Sequence, residues 1–120
     1  MARVIHFEIP ASDPARVLKF YQQVFEWRAQ KWEGPLDYWL VQTGEGSGID
    51  GGIMPRQRPS QGTVNTIDVP SVDETLISVQ ANGGRVVEAP MAVPGVGRLA
   101  YCQDPEGNVF GIMQRDQPAK

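Results

Sequence analysis

The chain has 120 residues, 41% of them hydrophobic, a net charge of −3 and a single cysteine, Cys102. That suits one packed domain, argues against a nucleic-acid partner because no basic cluster stands out, and rules out an intrachain disulfide. No apolar run nears the roughly 18 residues of a membrane helix and MARVIHFEIPASD lacks an apolar leader region, so a protein of the reducing cytosol with no membrane partner is expected.

In chain order, Arg3 to Ile9 alternates with β-branched and aromatic residues and reads as a strand, which Pro10 is expected to end. Asp13-Pro14 marks a helix start, an N-cap acceptor followed by a proline whose missing N–H costs nothing at the first position. Val17, Phe20, Tyr21 and Val24 recur at helical spacing, giving a helix over 14–25. Residues 27–32 and 38–43 read as strands joined by the turn signal Gly34-Pro35. Residues 44–48 form a loop, and 50–54 a short strand carrying Gly51-Gly52. Residues 55–62 are polar and proline-containing and read as a link.

The same order then returns. Residues 63–69 read as a strand, and Ser71-Val72-Asp73-Glu74 is a capping box opening a helix with Val72, Leu76 and Val79 on one face. Asn82-Gly83-Gly84 stops it. Strands follow at 85–89, 97–103 and 108–114, with Asp104-Pro105-Glu106-Gly107 as a tight turn. Residues 116–120 read as a frayed tail. FEIPASD at Phe7–Asp13 and IDVPSVD at Ile67–Asp73 superimpose on their prolines, so the chain carries an internal repeat. The expected fold is α+β: one domain, 1–120, of two βαβββ modules, about 1–56 and 60–116, forming a curved mixed sheet with a concave cleft.

The segments HFEIPASDPARVLKFYQQVFEW, VPSVDETLISVQANGGRVV and VPGVGRLAYCQDPEGNVFGIMQ, in this order and at these spacings, resemble the vicinal oxygen chelate family, the glyoxalase/bleomycin-resistance/dioxygenase proteins. The resemblance covers nearly the whole chain. It implies a homodimer and, in the family's enzymes, a divalent metal bound in the cleft by His, Glu or Gln, one ligand from the first and one from the last strand of each half. His6, the chain's one histidine, matches the first ligand position. The matching place on the second module's first strand holds Val64 or Thr66, and the last-strand position, three residues after the Asn of the Asp-Pro-x-Gly-Asn turn, holds Gly111. The first module's last strand offers Gly52 and Met54 around the expected place, and no carboxylate except Asp50 at its edge. Gln114 lies on the opposite strand face from Gly111 and is set aside. Three of the four ligand positions thus lack a donor, whereas a mononuclear site needs three or four. No cofactor is expected, with a divalent metal held partly by His6 as the alternative.

The residues of the ligand pocket are expected to be His6, Glu8, Tyr38, Met54, Thr66 and Met113. Glu8 and Asp68 are equivalent in the repeat and could form paired carboxylates. Tyr38 with Leu40 and Trp39 with Val41 fall on opposite strand faces, and sequence leaves open which set meets the core; Trp27 and Trp32 are further pocket aromatics. Cys102, without a second histidine to activate it, reads as a small buried residue. Gly44, Gly46, Gly48, Gly51 and Gly52 precede a strand or lie in one and are no phosphate loop; they read as a loop and a closely packed strand. The function expected is binding of a small organic molecule without metal, the alternative being a metal-dependent lyase, isomerase or dioxygenase.

Overall fold

A computed structural model describes residues 2–57 and 61–116. Residues 58–60 of the expected link and 117–120 of the expected tail lie outside the described residues. The chain divides into two compact units, His6–Val64 and a second from Asn65 onward that also takes in the chain's start through Ile5. Each unit carries one helix, and the chain alternates strand, helix and three strands twice.

The first unit holds most of β1 (Val4–Ala11), then α1 (Pro14–Phe25), β2 (Arg28–Lys31), β3 (Trp39–Gln42) and β4 (Asp50–Pro55). Its strands lie in the order β2-β3-β4-β1. The hairpin pairs are antiparallel and β1–β4 is parallel. Asp13 Oδ1 accepts the Arg16 N–H at 3.2 Å, and Pro14 opens the helix. Leu18, with Val17 and Tyr21 beside it, packs on Ala11, Val41 and Ile53. The apolar stripe is therefore centred on Leu18, and Phe20 and Val24 stay over half exposed. Tyr21 stacks on Trp27 at 4.8 Å.

Pro10 does not end β1. A proline lacks only the N–H, and the carbonyls of Pro10 and Ala11 still accept from Arg56, the latter through its backbone N–H at 2.8 Å. Pairing with β4 thus continues to Ala11.

The second unit holds most of β5 (Val64–Asp68), then α2 (Val72–Ala81), β6 (Arg85–Val93), β7 (Gly97–Gln103) and β8 (Val109–Arg115), in the order β5-β8-β7-β6. β5–β8 is parallel and the others antiparallel. β6 runs four residues past its expected end, through Pro90, because two register shifts against β7 absorb the irregularity. Ser71 Oγ accepts the Glu74 N–H at 3.2 Å, and Gln114 Oε1 accepts the Val72 N–H at 2.9 Å. The start of α2 is thereby held by its own serine and by β8. Val72, Leu76 and Val79 pack on Val69, Ala100, Cys102 and Ile112. The Asp104 turn closes on itself: its carboxylate accepts from the N–H groups of Glu106 and Asn108 and from the Asn108 side chain, which holds it below the ordinary carboxylate range. Among the described residues no helix is long and apolar enough to cross a membrane.

Candidate functional site

Strand alternation sorts the first unit's side chains between two faces. Ile9, Ala11, Val41, Trp39 and Ile53 meet α1. His6 and Glu8 consequently belong to the other face of β1, and Tyr38 to the face of Leu40. On β4, Gly52 is level with Glu8 on one side and Leu40 on the other. The choice left open by the sequence is resolved: Trp39 and Val41 serve the core, and Tyr38 does not.

On the face away from α1 three polar side chains meet. Tyr38 donates its hydroxyl hydrogen to Glu8 Oε2 at 2.9 Å, and His6 Nε2 lies 2.8 Å from the same hydroxyl. A phenol has one hydrogen to give. With that hydrogen on Glu8, the Tyr38 oxygen accepts from His6. This places a hydrogen on Nε2 and leaves Nδ1 an acceptor in the neutral ring. Glu8 is only 6% exposed, so the bond from Tyr38 offsets part of the cost of burying a carboxylate. Burial pushes the His6 imidazole below its ordinary 6.5, against the opposing pull of the Glu8 and Asp50 carboxylates. The ring is thus neutral at pH 7.

Gly52 is what lets Tyr38 reach this place. A Cβ at 52 would overlap the Tyr38 hydroxyl and ring, so no side chain can stand there with the phenol in position. On the other face, a Cβ at Gly51 would overlap the Phe7 ring, which itself lies 5.7 Å from Trp27. The glycine pair expected to mark close packing does so on both faces. Trp32 folds over Gly34 and meets Tyr38 edge-on at 6.4 Å, its backbone N–H bonded to the Tyr38 carbonyl at 2.8 Å. Trp27 belongs with Tyr21 and Phe25 beside α1 instead.

The sequence shows Asp50 only as a carboxylate at the edge of the first module's last strand. It lies level with His6 on the neighbouring strand and accepts the Thr43 N–H at 2.9 Å, closing the loop between β3 and β4. Its signal is the parallel β1–β4 register, which strand propensity alone does not provide.

In the second unit Thr66 is 3% exposed and stands level with Gly111, where a Cβ would come within 2.9 Å of Thr66 Oγ1. Val64 is buried one strand repeat earlier. Asp68 accepts two bonds from Arg115, at 2.7 and 3.2 Å. Glu8 and Asp68 each have a partner of their own, a phenol in one case and a guanidinium in the other. Met54 and Met113 are half-buried, on the strand faces of Gly52 and Gly111 respectively. Gln114 points to α2 and caps it, as its opposite face requires. Cys102 is fully buried and burial pushes its thiol up, so it is an inert core residue.

A model of the Glyoxalase/Bleomycin resistance protein/Dioxygenase superfamily matches residues 3–112. The chain belongs to this superfamily. A glyoxylase-like domain-containing protein of Didymella fabae is 30% identical over 115 residues, which cover 90% of each chain. A glyoxylase-named protein of Mycobacterium bovis, CFP32, is 28% identical over 113 residues, and the chain spans 42% of its length. The fold is shared with methylmalonyl-CoA epimerase from Mycobacterium tuberculosis, at 14% identity and a TM-score of 0.73 over 95% of this chain and 88% of that one.

The divalent metal implied by the superfamily does not fit the donors present. Gly52 and Gly111 offer no side chain, and each is overlaid by a hydroxyl, Tyr38 in one unit and Thr66 in the other. Among the described residues, no three of His, Cys, Asp or Glu group so as to hold a metal ion. This member of the superfamily therefore has a polar row, His6–Tyr38–Glu8, in the unit where a first ligand pair is expected.

Proposed function

We propose that this superfamily member binds a small, partly apolar organic molecule without metal, with the His6–Tyr38–Glu8 row as its polar anchor. The observation that carries the reading is that row: a buried carboxylate, a phenol and a neutral imidazole, joined at 2.9 and 2.8 Å on the sheet face that α1 leaves uncovered. Pockets for small molecules combine apolar walls with a few fixed polar groups. Trp32 and the partly exposed Leu40 supply apolar surface beside the row. The superfamily's small-molecule chemistry and the donor set described above support ligand binding over metal-dependent lyase, isomerase or dioxygenase activity. The same proposal places the protein in the cytosol as a homodimer, with the half-exposed Phe20, Val24 and Phe25 of α1 as surface for a second copy to cover.

The test is a thermal-shift screen of organic acids, thioesters, phenols and amides on wild type and Tyr38→Phe. A ligand at a hundred times its Kd stabilises by about 2.7 kcal/mol, an easily read shift. The expected result is at least one stabilising compound whose shift falls in Tyr38→Phe. A flat response across the library, or an equal shift in the variant, overturns the reading.

A further inference from the structure

We propose that His6 Nδ1 is the ligand-contacting acceptor of the row, kept free of hydrogen by Tyr38 and Glu8 as positioning residues, and that the group it takes is a non-anionic hydrogen donor such as an amide N–H or a phenol O–H. The inference rests on the small-molecule reading above and names the class of head group that such a site selects.

Hydrogens fix the polarity of the row. Tyr38 gives its one hydrogen to Glu8 Oε2 at 2.9 Å, so its oxygen takes the hydrogen of His6 Nε2 at 2.8 Å. A neutral imidazole carries a single N–H, and Nδ1 is then a lone pair. Among the described residues Nδ1 has no hydrogen-bond partner. Among those residues, the side-chain nitrogen both buried and without a partner is Trp39 Nε1, on the α1 side of the sheet, so Nδ1 is not sealed. An open acceptor on a half-buried ring takes a hydrogen from water or from a ligand.

Charge decides which donors fit. Asp50 stands level with His6 on β4, and Glu8 lies two residues further along β1. Both carboxylates act on the ring, against the burial that holds it below its ordinary range. Arg28 of β2, level with Gln42 on the face of Leu40, is separated from β1 by β3 and β4. A ligand carboxylate would set its lone pairs against that of Nδ1 and its charge beside two of the same sign. An ester avoids the charge but brings no hydrogen. An amide or phenol brings the hydrogen without the charge, and Leu40 and Trp32 beside the row suit its apolar body.

The test reads the chain's one histidine by long-range proton–nitrogen NMR in wild type and Tyr38→Phe, with circular dichroism establishing the fold of each. Spectra are taken alone and with benzamide, methyl benzoate and benzoate, three probes of similar shape. Wild type is expected to show a hydrogen-bearing Nε2 and a bare Nδ1, and Tyr38→Phe a mixture of tautomers. Benzamide is expected to move the Nδ1 resonance and to bind at least about tenfold more tightly than either other probe, with the preference falling in Tyr38→Phe. A hydrogen on Nδ1 in wild type, or an unchanged tautomer in a folded Tyr38→Phe, overturns the proposal. So does methyl benzoate or benzoate binding as tightly as benzamide, or benzamide not binding at all. Should Tyr38→Phe not fold, the wild-type tautomer and the order of the probes decide the matter. Any of the overturning results beside a positive library screen strikes the head-group class alone, whereas a flat screen strikes the small-molecule reading with it.

Discussion

Gly52→Ala tests whether Tyr38 owns the space above β4. The new methyl would overlap the phenol oxygen and ring of Tyr38, far inside van der Waals contact. Either the sheet shifts or the phenol leaves. Forcing a methyl into a packed site costs about 1–3 kcal/mol. Displacing the ring instead breaks the bond to the Glu8 carboxylate, and a hydrogen bond to a charged group is worth about 1.5–3 kcal/mol. Relief of the glycine's backbone entropy returns about 0.5–1 kcal/mol. The net expectation is a loss of about 1–1.5 kcal/mol. In a Tyr38→Ala background the overlap and the bonds are already gone, so adding Gly52→Ala should be neutral or mildly stabilising. The two sites should thus couple by about 1–2.5 kcal/mol, within the range seen for residues in contact. Urea unfolding of the four proteins of the cycle measures this directly. Equal costs of Gly52→Ala in both backgrounds, within about 0.5 kcal/mol, would refute the packing described for Tyr38.

Two further outcomes follow from the structure. Folded His6 titrates below 6.5 and the unfolded group at about 6.5, so the unfolded chain takes up the proton first as pH falls. The stability tied to the neutral ring is complete above the unfolded value and is lost as pH falls through the folded one. His6 is the one histidine, so a proton NMR titration reads it without assignment, and a midpoint at or above 6.5 refutes the burial argument. Gln114→Ala should cost about 1 kcal/mol in chemical unfolding, because it strips the Val72 N–H of its acceptor at the start of α2. Gln114→Glu keeps the acceptor and adds a charge favoured at a helix N-terminus, so it should cost less; the reverse order would place the side chain elsewhere.

Local chemistry made much of this fold readable. Asp13-Pro14 and Ser71 to Glu74 set both helix starts because capping depends on neighbours in sequence. Proline was the weak point. At Pro10 and Pro90 the strands continue, since one absent N–H matters less than the carbonyls and bulges that carry the pairing onward. The site was half readable. His6, Glu8 and Tyr38 could each be named from strand alternation, and the Gly51-Gly52 pair pointed to a close approach. What joined them was the register that sets Glu8 and Leu40 on either side of Gly52. Register is a property of paired strands, and β1 and β4 are far apart in the chain, so no window of sequence contains it. The same holds for Asp68, whose repeat position suggested a partner in Glu8 but whose carboxylate is taken by Arg115 of β8.

The Arg3 carbonyl accepts the Asp68 N–H at 2.8 Å, and the compact unit that begins at Asn65 also includes the chain's opening residues through Ile5. The halves of the internal repeat are therefore not separable by a single cut. A fragment starting at residue 65 would be made without the segment that pairs with the C-terminal end of β5, leaving an unpaired strand edge open to self-association. Dissection of this protein into its repeats would have to carry residues 2–5 along, by circular permutation or by supplying them as a peptide.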